Sequence, residues 1–252
     1  MAGHSPWANI KHRKAAVDAK RGKLWTKLSK AIIVAAKMGG GDPESNLRLR
    51  YAINDAKAVS MPKDNIERAI KRGTGEIAGG EVEEVLYEGY GPAGAAILCE
   101  IMTDNRNRTA PEIRKVFETH GGKLGGTNCV AWMFERKGLF LVAASKVDEE
   151  KLMEIVLDAG ADDLKREGDM FQVTCPPEAF NGVSDALAKA GIEPDSKQLS
   201  RIPSNTVEIS DVETAKSVLA LVDALDDHDD VQSVSANFTI PDDAMAAIGA
   251  AG

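Results

Sequence analysis

Lys11, Arg13, Lys14, Lys20 and Arg21 place five cations among small residues at the start of the chain. Such groups suit phosphate oxygens. They make charge-assisted hydrogen bonds and release condensed counterions, which gives affinity without reading sequence. Lys23, Lys27, Lys30, Arg68, Lys71 and Arg72 carry the same chemistry further. Residues 1–73 hold 16 Lys and Arg against 6 Asp and Glu, a net of +10. The remainder holds 15 against 33, a net of −18, so the overall −8 conceals a division. This implies a polyanion-binding end joined to a body that polyanions avoid. The plainer alternative is a solvated basic face, with Lys71 and Arg72 complementing a helix C-terminus. Trp7 and Trp25 could stack on bases, though Trp25, beside a leucine stripe, reads as core.

Two further clusters carry potential chemistry. Asn105, Arg106, Asn107 and Arg108, following Asp104, lie between a strand end and a helix start, where they could grip a phosphate. Equally, the Asn and Asp side chains could cap a tight turn while Arg106 or Arg108 pairs with a carboxylate. Asp226-Asp227-His228-Asp229-Asp230 offers oxygens to a hard cation, but its spacing matches no metal loop and it reads as an acidic, solvated connection. His4, His12 and His120 are too scattered for a metal site, and His120 reads as structural. Cys99, Cys129 and Cys175 are odd in number and widely spaced. They suit packed, reduced thiols of a cytosolic protein rather than disulfides or zinc ligands. Gly89-x-Gly91 leads into a turn and a strand, so no helix dipole would meet a phosphate there. No nucleophile or P-loop pattern stands in a suitable context. The expectation is a protein with no catalytic residues, no metal and no cofactor.

The elements that must position these residues follow from periodicity. The chain has 252 residues, with 43% hydrophobic and 28% charged, enough for two or three folded domains. Its longest apolar runs, Ala31–Ala36 and Gly138–Ala144, fall far short of the roughly 20 residues that span a bilayer, and the N-terminus lacks an apolar signal core. Leu24, Leu28, Ile32 and Ala35 mark a helix that Gly39-Gly40-Gly41 stop. Asp42-Pro43 or Asn46 starts a second, with Leu49, Ala52, Ile53, Ala56 and Val59 inward. Pro62 opens a third, with Ile66, Ala69 and Ile70 inward and Gly73 at its end. Together they make a small helical bundle behind the basic arm.

After a glycine-rich stretch at Thr74–Gly80, Val82–Tyr90 and Ala95–Thr103 read as strands around the turn Gly91–Gly94. Thr109 and Glu112 have capping-box spacing for a helix that buries Ile113, Val116, Phe117 and His120. Cys129–Glu135 and Gly138–Ala144 read as separate strands. Val147–Ala159 is helical, Asp163–Glu167 and Met170–Cys175 are short strands, Pro177–Ala190 is helical and Lys197–Ile202 is a strand. That order is the split βαβ of a ferredoxin-like fold. RNA-recognition modules share this topology, but Met170-Phe171-Gln172-Val173 lacks their basic-Gly-aromatic pattern, and Phe140 and Phe171 read as core. Ser210 and Glu213 would cap a last helix, Val234, Ala236 and Phe238 alternate in a closing strand, and the tail from Asp242 reads as frayed. The expected class is α+β and multidomain. A basic arm and helical bundle fill residues 1–76, a mixed α/β domain is formed by 77–134 and 205–241, a ferredoxin-like insertion spans 135–204, and 242–252 is a tail.

The opening Met1-Ala2-Gly3-His4-Ser5, then Trp7-Ala8-Asn9-Ile10-Lys11-His12-Arg13-Lys14, resembles the YebC/PmpR family of bacterial regulators, which includes the mitochondrial translational activator of cytochrome c oxidase. Gly39–Glu44, Met61–Gly75, Tyr87–Pro92, Thr103–Thr109 and Phe134–Gly138 match in order, so the motif-level likeness covers roughly the first 140 residues. Pro6 stands where the family usually has Lys, Leu47 where it has Pro, Ala93 where it often has Gly, and Asn128-Cys129 where it has Gly-Ser. The resemblance implies the same three domains. It also implies a nucleic-acid-binding regulator of gene expression, as a DNA-binding transcription regulator or, alternatively, a translation factor contacting ribosomal RNA through the same basic region. A third class is a scaffold whose acidic domains hold a basic protein partner. A cytoplasmic location, with no membrane partner, is expected.

Overall fold

The computed structural model describes residues 21–250, and for Arg21 and Ala250 the backbone only. The arm residues Lys11, Arg13, Lys14 and Lys20, with Trp7, His4 and His12, lie outside the described residues, as does the Arg21 side chain. Two compact units are present: residues 21–129 with 217–234, and residues 130–216 with 235–250.

In the first unit three helices form an apolar core: α1 (Arg21–Gly39), α2 (Leu47–Ala58) and α3 (Lys63–Gly73). Helix α1 contributes Ile32, Ile33, Ala35 and Ala36, against Leu49, Ala52, Ile53 and Ala56 of α2 and Ile66 and Ala69 of α3. Buried Asn46 joins two of them. Its side chain accepts from the Leu49 amide, capping α2, and donates to the carbonyls of Ala35 and Gly40 at 2.8 Å each. Asn46 rather than Asp42 therefore starts the second helix, and Leu47 occupies the N1 position where a family proline would fit. Gly73 ends α3 against α1. A Cβ there would lie 2.4 Å from the Ile33 carbonyl oxygen, so only glycine permits the approach. Trp25 packs on this core and donates its indole N–H to the Val59 carbonyl, as a core residue does.

The same unit carries a sheet of order β3-β1-β2-β9, from β1 (Glu83–Tyr90), β2 (Ala96–Thr103), β3 (Lys123–Leu124) and β9 (Val231–Ala236). Strands β1 and β2 pair antiparallel from Glu83↔Thr103 to Tyr90↔Ala96. The turn between them holds Ala93 at φ 56°, a left-handed conformation that explains why glycine suits this position. Helix α4 (Arg106–Thr119) follows β2, and its cap differs from the expected one. The Asn105 side chain accepts from the Arg108 amide, while Thr109 is buried inside the helix. Pro111 favours a start at Thr109, since proline suits a first turn. Here it sits one turn further in.

The expected strand at Cys129–Glu135 is absent as such. Asn128 takes φ 65° and its amide donates to the buried Glu88 carboxylate at 2.6 Å, which folds the segment into a loop. A 3-10 turn at Ala131–Met133 then leads into one continuous strand, β4 (Phe134–Ala143), where the sequence pattern suggests two.

In the second unit β4 is followed by α5 (Glu149–Asp158), β5 (Asp163–Glu167), β6 (Met170–Cys175), α6 (Phe180–Lys189) and β7 (Ser196–Pro203). The antiparallel order β5-β6-β4-β7 is that of the ferredoxin-like fold. Phe140, Val142, Phe171 and Val173 pack beneath Leu152 and Val156 of α5 and Val183 and Leu187 of α6. Phe140 and Phe171 are thus core residues, not a base-stacking surface. Strand β8 (Val207–Glu208) pairs in parallel with β10 (Phe238–Thr239). Helix α7 (Val212–Asp226), which from Ser217 onward belongs to the first unit, is capped by the Asp211 carboxylate, which accepts from the Thr214 amide at 2.8 Å. Ser210 instead donates to Glu208. The tail forms helix α8 (Asp242–Ala250) with Ala244 buried, rather than fraying. Pro241, two acids in the first turn and an alanine-rich sequence are the signals that favour it. Among the described residues, no helix is long and apolar enough to cross a membrane.

Candidate nucleic-acid interface

Lys23, Lys27 and Lys30 recur at four- and three-residue steps and so share one face of α1. They stand off its apolar stripe, yet each meets the acidic end of α7 and the loop after it. Lys23 Nζ donates to Asp227 Oδ2 at 2.9 Å and to the Asp227 carbonyl at 3.2 Å. Lys27 donates to the Asp226 carbonyl and lies 3.9 Å from its carboxylate. Lys30 donates to the Asp229 carbonyl at 3.0 Å and pairs with Asp230. The acidic run is therefore not simply a solvated connection.

Asp230 is the centre of this arrangement, with its side chain only 1% exposed. Arg108 donates to its Oδ2 at 2.7 Å, and Thr109 and Lys30 complete the set. The Thr109 hydroxyl has one proton and lies against a carboxylate, so the Thr103 hydroxyl, 2.8 Å away, donates to Thr109, and the Asn105 amide donates to Thr103. Burial pushes the Asp230 carboxyl upward, but Lys30, Thr109 and Arg108 outweigh it and hold the group well below the usual carboxylate range. The hydrogen bond to Asp230 correspondingly raises the Arg108 guanidinium, and that to Asp227 raises the Lys23 ammonium.

His228 connects the loop to α4. Its Nδ1 accepts from the Asp230 amide at 3.1 Å, which leaves the proton on Nε2, 3.1 Å from Glu112. Glu112, His228 and Asp230 bring ligand atoms within 4.8 Å of one another. The positive charge a metal would supply is already provided there by Lys30 and Arg108, and both ring nitrogens have partners.

These groups line a cleft of about 940 Å³ whose rim also carries Arg72, Lys115 and Asp104. Both cations and anions line it. Arg72 donates to the Gly80 carbonyl at 2.7 Å and reaches Asp104 at 3.5 Å, so it fastens the segment after α3. Arg106 pairs with Glu83 at 3.5 Å, and Asn105 is spent on its cap. Of the possible phosphate grip, only Asn107 is exposed without an assigned partner among the described residues. Asn105 thus caps the helix, and Arg106 and Arg108 each meet a carboxylate. His120 closes α4, with its Nδ1 2.8 Å from the Val116 carbonyl.

Arg68 and Lys71, on the outer face of α3, are different. Both are exposed and form no ion pair among the described residues. Sequence reasoning names Asp230 only within an acidic run and Thr109 only as a cap, and misses that the two meet. The acidic run is visible, but the cations that answer it lie about 200 positions earlier.

The chain matches two family models in succession. The TACO1/YebC protein N-terminal domain covers residues 5–76, and the TACO1/YebC second and third domain covers residues 82–238. It is 59% identical over 247 residues to a probable transcriptional regulatory protein of Rhodopirellula baltica, covering 98% of this chain and 100% of that one. It is 54% identical over 245 residues to a similarly named protein of Desulfatibacillum aliphaticivorans, covering 97% and 99%. The crystal structure of a conserved hypothetical protein from Aquifex aeolicus superposes with a TM-score of 0.84 at 50% identity, over 94% of this chain and 98% of that one. The chain belongs to the TACO1/YebC family.

Proposed function

We propose that this protein is a nucleic-acid-binding regulator of gene expression, a transcription regulator that holds DNA through its basic N-terminal region. The observation that carries the reading is the +10 net charge of residues 1–73, with Arg68 and Lys71 left exposed on α3 beside it. Lys11, Arg13, Lys14, Lys20 and Arg21 supply the remaining phosphate contacts. The names of the Rhodopirellula and Desulfatibacillum relatives support a regulatory role. In this reading the protein is a binding protein and not a catalyst. It works as three domains, divided near residues 76, 134 and 204.

A second reading is favoured by one feature. The outer face of α3 offers Lys63, Arg68 and Lys71, cations that suit phosphates rather than base edges, beside the acids Asp64 and Glu67. Recognition of a structured RNA by a translation factor uses the same contacts. Sucrose-gradient sedimentation of the tagged protein, with and without nuclease, separates the two. Enrichment on promoter DNA supports the first, and nuclease-sensitive migration with ribosomes the second. Failure to associate with either nucleic acid would refute both.

A further inference from the structure

We propose that Asp226 and Asp227 keep a second phosphate-binding surface closed, and that Lys23 and Lys27 are the residues a sugar-phosphate backbone contacts when that acidic helix end is displaced. The proposal rests on the nucleic-acid reading above and adds to it a regulation of the same region.

The contacts along α1 are graded. Lys30 and Asp230 have side chains 13% and 1% exposed, and Arg108 and Thr109 hold the same carboxylate. That end is an anchor. Toward the helix N-terminus the contacts loosen. Lys27, 15% exposed, still donates to the Asp226 carbonyl, but its contact with the Asp226 carboxylate is 3.9 Å long. The Lys23–Asp227 pair is 45% and 38% exposed. Exposed pairs of this kind are weak and screened by salt, so a competing anion can replace them.

The acidic end presents to these lysines what a nucleic-acid backbone would present, anionic oxygens in a row. Asp226 and Asp227 add their carboxylates to the carbonyls at the negative end of the α7 dipole. The competition has a direction. Lys20 immediately precedes α1 in the chain and Arg21 is its first residue, so a strand held by the arm is led toward Lys23 and then Lys27. Binding at the arm makes the next phosphate a neighbour at high effective concentration. The exchange opens the outer two pairs and leaves the Lys30–Asp230 anchor in place.

The test uses the full chain carrying Asp226→Asn and Asp227→Asn, with a short fluorescent duplex of arbitrary sequence titrated at several salt concentrations. A control carries Glu150→Gln and Glu154→Gln on α5, the same charge change in the other unit. The double Asn variant is expected to bind roughly tenfold tighter. Its plot of log affinity against log salt should be steeper by up to about 0.9 for each lysine released. The control should keep the wild-type slope. Adding Lys23→Ala and Lys27→Ala to the Asn variant should remove the gain. A wild-type slope in the Asn variant, or equal steepening in the control, would overturn the proposal alone. A wild-type chain that binds neither duplex nor RNA would overturn the functional reading as well.

Discussion

Lys30 and Lys71 belong to the same basic N-terminal region and count equally toward its charge, but the fold uses them differently. Lys30 lies beside a buried carboxylate that also receives Arg108 and Thr109, so its charge is consumed inside the molecule. Lys71, with Arg68, projects from α3 with no ion pair among the described residues. A cation count from sequence therefore measures potential, and the placement of distant acids decides what remains for a ligand. In this unit the dividing line runs between Lys23, Lys27 and Lys30 of α1, which meet Asp226–Asp230, and Arg68 and Lys71 of α3, which do not.

The largest effect should come from removing the buried centre. Asp230→Asn leaves Lys30 and Arg108 without their counter-ion and should cost about 3 kcal/mol of stability, read by chemical denaturation. An unchanged midpoint would mean that the α1 pairs are as dispensable as surface ones. The same pair of proteins gives a pH signature. The folded Asp230 carboxyl sits below its unfolded value, so its contribution is complete above the unfolded pKa of about 3.9 and is lost as pH falls toward the folded value. The stability gap between wild type and Asp230→Asn should be constant near neutrality and shrink below about pH 4. A gap that widens in acid would contradict the assignment.

On the other side, Arg68→Ala with Lys71→Ala should leave stability within about 0.5 kcal/mol, as expected for exposed residues. Without these two cations, binding to unrelated duplexes should weaken alike, and the salt dependence should flatten by about 0.9 for each phosphate no longer neutralised. The smallest effect concerns a position with no part in either charge system. Ala93→Gly relieves a left-handed alanine, while the more flexible unfolded chain offsets part of the gain, so stability should rise by at most about 1 kcal/mol. Nucleic-acid affinity should not change.

Local order is readable from the sequence because it depends on local chemistry. The stripes on α1 to α3, the glycine stops and the split βαβ all follow from side-chain period and turn residues. Sequence reasoning fails where two local solutions are equally good. Thr109 and Asn105 can each cap a helix, and Pro111 favours the wrong one. Val130 looks like part of a strand, but Asn128 in the left-handed region turns the chain first. The candidate site is less legible. Its residues stand out only as separate clusters, because nothing local in Lys23–Lys30 or Asp226–Asp230 indicates that they meet. Cutting the chain after residue 76 would also detach those lysines from their acids, so the isolated fragment would offer charge that the whole protein holds back.

The most direct test of the central claim measures affinity for unrelated duplexes across salt, for the full chain and for a variant with Lys11, Arg13, Lys14, Lys20 and Arg21 all changed to Ala, alongside their melting curves. If the arm holds phosphates, the slope should flatten by up to about 0.9 for each phosphate set free, equally on every sequence, with the melting temperature almost unmoved. An unchanged slope with a lowered melting temperature would show that the arm serves the fold, and would contradict its assignment as the nucleic-acid contact.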